Sequence, residues 1–355
     1  MTHRKHTAHT RPGPARKILA GAISMTLFIL AALPLAAGGS KETADTAAAP
    51  EGPLIVWTYD SFVSEWGPAA QIAANFKEAT GKEVRFVSQG DGGVLLTKAI
   101  AQGAASGADI VLGLDNNLLE RAIESGIFSA YKPAGAERIL EGLALDPEFR
   151  LVPWDHGSFA FIVDTVAVGA PPASLEDLTD KKWQKKIILM DPRTSTPGLG
   201  FFAWVKAVYG EDWKDYWKRL EPSILTIADG WDSGYGMFTK GEAPLVLSYN
   251  TSPAYHLEYE ETERFQALIF EEGHVDQIEF AGILASSKRV ELAQSFMDFM
   301  LSDGFQAVIP LTNWMYPVVE TELPASFRLA PTPTRILPSR GPDTAELDEW
   351  AALFQ

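Results

Sequence analysis

From Leu54 onward the chain alternates short β-branched runs with amphipathic stretches, and this alternation limits the fold more than any other feature. Leu54–Thr58, Val84–Val87 and Asp109–Leu112 read as strands. Between and after them, Ala69–Ala79, Val94–Ala101 and Asn117–Ile123 carry apolar residues at helical spacing, and Gly81 and Gly126 can stop two of these helices. After a break, strands are expected at Phe159–Val163, Ile187–Met190, Ile224–Ile227, Leu245–Tyr249 and Val275–Leu284. Helices are expected at Phe201–Val208, Trp213–Leu220 and Val290–Leu301, and Ser174 caps a short one. Such a βαβα rhythm closes on a mostly parallel sheet covered by helices. A length of 355 residues, 46% of them hydrophobic, suits two α/β lobes, because single cores stop growing at about 250–300 residues.

Charge separates the N-terminus from the rest. Arg4, Lys5, Arg11, Arg16 and Lys17 precede an apolar run from Ile18 to Ala37, and the first forty residues hold no acid. A basic start, an apolar stretch and the small residues Ala36, Ala37 and Gly38 read as an export signal over 1–37, which implies a periplasmic or otherwise extracytoplasmic protein. Twenty apolar residues can also just span a bilayer, so an uncleaved signal would anchor the chain. Residues 38–53 read as a flexible tether. Overall 30 basic residues face 46 acidic ones, a net charge of −16. That balance opposes nucleic-acid binding and suits a cationic or neutral ligand.

Much chemistry is excluded. With no cysteine, disulfides, thiolate metal sites and cysteine nucleophiles are impossible. There is no G-x-S-x-G elbow, no H-E-x-x-H motif and no Walker lysine. Gly90-Asp91-Gly92-Gly93-Val94-Leu95 begins like a dinucleotide fingerprint but has Leu95 where the third glycine belongs. His156, His256 and His274, the histidines beyond the signal, are not spaced to share a helix face, so neither a metal nor a cofactor is expected.

What is present is aromatic. Trp57-Thr58-Tyr59-Asp60, Trp66-Gly67-Pro68, Gly230-Trp231-Asp232, Tyr249 to Tyr255 and Asn313-Trp314-Met315-Tyr316-Pro317 lie beside turns, several of them just after strands. Ligands of open α/β sheets bind at the carboxyl ends of strands, and aromatic faces there suit planar cations. Two helix starts, at Thr196-Pro197 and Ser252-Pro253, combine a hydroxyl with free backbone N–H groups, an arrangement suited to anions. Thr196 is expected as the N-cap of the first.

Five blocks carry a resemblance: the Trp57–Phe62 segment, Val111–Leu119, the run Asp191-Pro192-Arg193-Thr194-Ser195-Thr196-Pro197-Gly198-Leu199-Gly200, Val246–His256 and Asn313–Pro317. They resemble, in order and over about 54–320, the thiamine-binding periplasmic proteins of ABC import systems. The resemblance implies an α/β class II periplasmic binding protein fold, with two lobes of mixed β-sheet flanked by helices and a ligand cleft between them. It implies lobe 1 at 54–157 and 278–355 and lobe 2 at 158–277. It implies capture of thiamine, thiamine monophosphate and thiamine diphosphate by a monomer, delivery to a membrane permease, and no catalysis. Tyr59, Trp66, Asp91, Gly92, Ser195, Thr196, Trp231, Tyr249, Thr251, Ser252, Tyr255 and Trp314 match its binding positions. Asn250 stands where the family has Thr, and Trp57 and His156 where it has Tyr; Asn250 keeps hydrogen-bonding capacity and stays with the candidate site. A class II binder of a polyamine, and a thiamine-phosphate hydrolase, are the competing readings.

Overall fold

The computed structural model describes residues 52–354. The export signal at 1–37 and nearly all of the tether at 38–53 lie outside the described residues. Among the described residues eleven strands run β1 Leu54–Thr58, β2 Val84–Ser88, β3 Ile110–Asp115, β4 Phe128–Ser129, β5 Val152–Asp164, β6 Ile187–Met190, β7 Ile224–Ala228, β8 Leu245–Tyr249, β9 Phe265–Leu268, β10 Asp276–Leu284 and β11 Tyr316–Pro317. The main helices are α1 Ala69–Thr80, α2 Gly92–Gln102, α3 Leu119–Glu124, α4 Thr196–Tyr209, α5 Trp213–Leu220, α6 Trp231–Thr239, α7 Ser252–Glu260 and α8 Val290–Met300, with a C-terminal helix at Thr344–Ala352.

The strands follow the order β2-β1-β3-β10-β5-β8-β6-β7, with β4, β9 and β11 paired to its sides. Parallel pairs β1–β2, β1–β3, β6–β7 and β6–β8 build the body of each lobe. Antiparallel β10 and β5 join the lobes. Residues 152–158 of β5 pair with β10, and residues 159–163 pair with β8. The sheet is therefore mixed, as the resemblance implies, and one thirteen-residue strand serves both halves. Its expected extent, Phe159–Val163, covers only the second half. Pro153, Asp155, His156 and Gly157 hide the first half from a reading based on β-branched runs.

The register slips twice beside one residue. Opposite Phe280 of β10, β3 skips Gly113 and β5 skips Trp154. Gly113 has φ of +107°, and the Tyr59 ring occupies the space a β-carbon would need. Pro153 cannot donate to a ladder, which suits it to the second bulge.

Each lobe has its own core. In the second, Phe161, Phe201, Phe202, Trp204, Trp217 and Phe270 interlock. His274 ties it together: its Nδ1 lies 2.8 Å from the Phe159 carbonyl oxygen, its Nε2 accepts from the Phe270 N–H at 2.7 Å, and burial holds its pKa below the ordinary value. In the first, Phe62, Phe76, Trp154, Phe296 and Phe305 do the same. Residues 278–355 are expected with the first lobe, but the C-terminal helix packs across both. Leu347 rests on the cluster of Leu95, Leu118 and Leu199, while Trp350 stands edge-on to Trp217. Glu346 pairs with Lys206, and Arg340 with Glu120.

Both proline-marked helices start one residue away from expectation. Ser195, in extended conformation, is the N-cap of α4, and Thr251 is that of α7; neither forms a side-chain cap bond. Proline thus falls at the second helical position, where its missing N–H is equally harmless because no intrahelical acceptor exists there.

Two glycines separate packing from propensity. A β-carbon on Gly200 of α4 would run into the Phe159 ring, whereas one on Gly236 of α6 meets nothing within 4 Å. Gly200→Ala should cost about 1–3 kcal/mol of unfolding free energy by overpacking. Gly236→Ala should add about 0.4–1 kcal/mol. Urea unfolding of both variants checks the pair, and equal effects would contradict this packing.

Candidate functional site

The parallel strands of both lobes end at one cavity of about 380 Å³. Tyr59, Asp60 and Ser61 follow β1, Gly90 and Asp91 follow β2, Thr194, Thr196 and Pro197 follow β6, Asp229 to Ser233 follow β7, and Ser252 follows β8. Gln277 and Glu279 of β10 contribute to the wall, as do Asn313, Trp314 and Met315. A second recess of about 160 Å³ shares Trp66, Trp231, Asp232, Ser252 and Trp314 with the first and adds Tyr235 and Tyr255.

The aromatic walls are held in place from behind. Trp231 opens α6, stacks on Tyr235 at 4.9 Å and 17°, and donates its indole N–H to Ser248 Oγ at 2.8 Å. Ser248 Oγ in turn lies 2.8 Å from Ser252 Oγ. Trp66, on the other lobe, meets Trp231 edge-on at 6.1 Å. Trp314 sits in the left-handed region, φ +57°, and lies edge-on to Tyr255 and Tyr259 at 5.4 and 5.5 Å. A tryptophan costs free energy in that conformation, so the surroundings hold it there.

Asp91 lies where helix starts converge. Its Oδ1 accepts from Gly92 N–H at 2.6 Å at the head of α2, and its Oδ2 accepts from Trp231 N–H at 3.2 Å at the head of α6. Burial raises its pKa, against the opposing pull of these hydrogen bonds. Ser195 Oγ is buried beside it without a well-formed hydrogen bond. The methyl of Thr196 fills the space beside Gly92 that a larger residue would need.

Of the residues expected from sequence, Tyr59, Trp66, Asp91, Thr196, Trp231, Tyr249, Ser252 and Trp314 line the larger cavity, and Tyr255 lines the smaller. Gly92, Ser195, Asn250 and Thr251 are buried behind the walls. Asn250 is a strut: its Oδ1 accepts from Ser158 N–H and its Nδ2 donates to the Pro331 carbonyl, both at 2.9 Å.

The cavity also contains acids that sequence reading missed. Beside the expected Asp91 its lining holds Asp60, Asp229, Asp232 and Glu279 and, among the described residues, no Lys, Arg or His. Glu279 Oε2 accepts from Tyr59 Oη at 3.0 Å, and its Oε1 accepts from Gln277 Nε2 at 2.9 Å. Tyr249 Oη donates to Gln277 Oε1 at 3.1 Å. Burial, then the neighbouring Asp155 carboxyl, pushes the Glu279 pKa well up. The available signal was two polar residues, Gln277 and Glu279, two apart in a strand that is otherwise apolar beyond its first residue, Asp276. No group of three or more His, Asp or Glu side chains among the described residues is arranged to hold a metal.

A family profile described as bacterial extracellular solute-binding protein matches residues 106–331. The thiamine-binding periplasmic protein of Brucella melitensis biotype 1 is 45% identical over 289 residues, 80% of this chain and 85% of that one. The protein of the same name from Escherichia coli K12 is 43% identical over 284 residues, 80% and 86% of the two chains. A solved periplasmic thiamin binding protein superposes with a TM-score of 0.80 at 40% identity, covering 86% of this chain and 98% of its own. The chain belongs to the family of thiamine-binding periplasmic proteins. Its two-lobed α/β architecture is accordingly the fold of periplasmic binding proteins.

A buried acid whose pKa is pushed up sets a pH test. The native protein holds the Glu279 proton above the pH at which an unfolded chain loses it. Its contribution is fully present below about pH 4.3 and falls as pH rises, by up to about 1.4 kcal/mol per unit. In the ligand-free protein, Glu279→Gln should therefore become more stabilising relative to the parent from pH 5 to pH 8. Urea titrations at three pH values measure the difference, and a constant or shrinking gap would contradict it.

Proposed function

We propose that this chain captures thiamine outside the cytoplasm and hands it to an ABC import permease, acting as a monomer and turning nothing over. The observation that carries the reading is the cavity itself, walled by Tyr59, Trp66, Trp231 and Trp314 and lined by five carboxylates with no basic side chain. Thiamine is a flat aminopyrimidine joined to a permanently charged thiazolium. Aromatic faces attract such a cation, and the carboxylates balance it. A polyamine would also use acids and aromatic faces, but it calls for carboxylates at both ends of a flexible diamine, whereas flat walls suit flat rings. The crossings of the chain near 157 and 277, where β5 changes partners and β10 begins, are the hinge about which we propose the lobes 54–157 with 278–355 and 158–277 close.

Trp231 is the strongest test of the walls. Trp231→Ala should weaken thiamine binding by about 1–3 kcal/mol, the sum of lost apolar burial and a cation–π contribution. Calorimetric titration with thiamine, and with putrescine for comparison, measures it. Unchanged affinity in a folded variant would remove Trp231 from the site.

Phosphorylated thiamine is a second ligand class, which the start of α4 supports. Thr194 and Thr196 line the cavity there, Ser195 Oγ lies just behind them without a formed bond, and the first N–H groups of a fourteen-residue helix begin at the same place. A phosphate gains charge-assisted hydrogen bonds in such a place, and the hydroxyl of free thiamine gains less. Ser195→Ala should cost thiamine monophosphate about 1–2 kcal/mol and thiamine less. Equal losses would move the phosphate elsewhere. In the same titrations each injection of the diphosphate should return to baseline, whereas a sustained heat would mark hydrolysis.

A further inference from the structure

Three acids stand in a row across the middle of the sheet. Glu279 of β10 is the register partner of Asp115 on β3 and of Asp155 on β5, and side chains paired in this way share a face. None is more than 5% exposed. The groups around them are neutral or acidic. Tyr59 Oη lies 3.0 Å from Glu279 and 3.2 Å from Asn313 Oδ1, and Asn313 Nδ2 donates to Asp155 Oδ2 at 2.6 Å. Gln277, held by Tyr249 of β8, supports Glu279 from its own strand, and Asp91 at the head of α2 adds a fourth carboxyl. Asp115 is satisfied locally by Asn117 Nδ2 at 2.7 Å and Leu118 N–H at 3.1 Å. Asp155 Oδ1 is buried with no partner. His156, next on β5, packs on the Tyr316 ring at 5.4 Å.

Buried carboxylates this close cannot all be charged without a cation. Burial pushes Asp155 and Glu279 well up and raises Asp115 to about 7. Only Glu279 of the three reaches the cavity wall. We infer that seating a permanent cation above Glu279 expels a proton from the Asp155–Glu279 pair, so that ligand charge is read as proton release. The inference rests on the thiamine reading. The exchange is balanced: the carboxylic acid plus the ligand cation become a carboxylate–cation pair, and the proton passes to the buffer. Affinity must then rise with pH, since the proton competes with the ligand.

Calorimetry of the mature protein with thiamine, in two buffers of different ionisation enthalpy, counts the protons. Between pH 6 and 7 the parent should release about 0.5–1 proton per thiamine, and its affinity should rise about three- to tenfold. Glu279→Gln should release less than half as many protons, only what Asp115 and Asp155 still lose, and its affinity should change correspondingly less from pH 6 to pH 7; release equal to the parent's would overturn the inference. Asp155→Asn should lower the release while leaving Glu279 at the cavity, and it carries the test if the first variant does not fold. Thiamine binding by the parent with buffer-independent heats would overturn the proton linkage and leave the thiamine reading intact. A folded parent that gives no thiamine isotherm at any pH would overturn the reading beneath it.

Discussion

The pairing of β5 with β10 runs from Asp276 opposite Ser158 to Ala281 opposite Val152, and nearly everything else hangs from it. Because β5 continues into the second half of the sheet, the parallel strands of both lobes are held with their carboxyl ends facing one another. Loops leaving those ends have nowhere to go but the shared cavity. The aromatic residues and the helix starts gather there for that reason alone. The same pairing explains why β10 is polar at Gln277 and Glu279, since a strand buried between two neighbours exposes nothing except where the cavity reaches it.

The two bulges refine this arrangement. Slips at Gly113 and Trp154, on either side of Phe280, bend the neighbouring strands just beyond the acid row. Gly113 gives the Tyr59 ring room to lie against the sheet, and Tyr59 thereby reaches Glu279. Backbone irregularity on one strand is thus converted into a hydrogen bond on another. Replacing those acids with apolar residues would make a quieter core, but it would remove the one acid of the row, Glu279, that lines the cavity beside Asp60, Asp91, Asp229 and Asp232.

The strands were largely legible in the sequence, because β-branched runs bounded by turn residues have few other uses. Ile187–Met190 and Leu245–Tyr249 keep their expected limits. The two proline-marked helix starts were legible to within one residue, since proline is tolerated at either of the first two positions and does not say which it occupies. The aromatic wall could be read because Trp231, Tyr255 and Trp314 sit beside turns. The acid row could not. Asp115, Asp155 and Glu279 are distant in the chain, each is one of many carboxylates, and only strand register brings them together. Asn250 shows the converse: a polar residue just after a strand looks like a ligand contact, and here its amide ties β5 to the loop at Pro331.

Seven of the ten tryptophans, Trp57, Trp154, Trp183, Trp204, Trp213, Trp217 and Trp350, are at most 5% exposed. Trp66 and Trp231, the two indoles that water reaches most readily, face each other over the cavity mouth. The intrinsic emission of this protein is consequently a short-wavelength background from shielded rings on which one long-wavelength component rides. That component belongs to the cleft, so the chain is spectroscopically labelled at its mouth without any added dye.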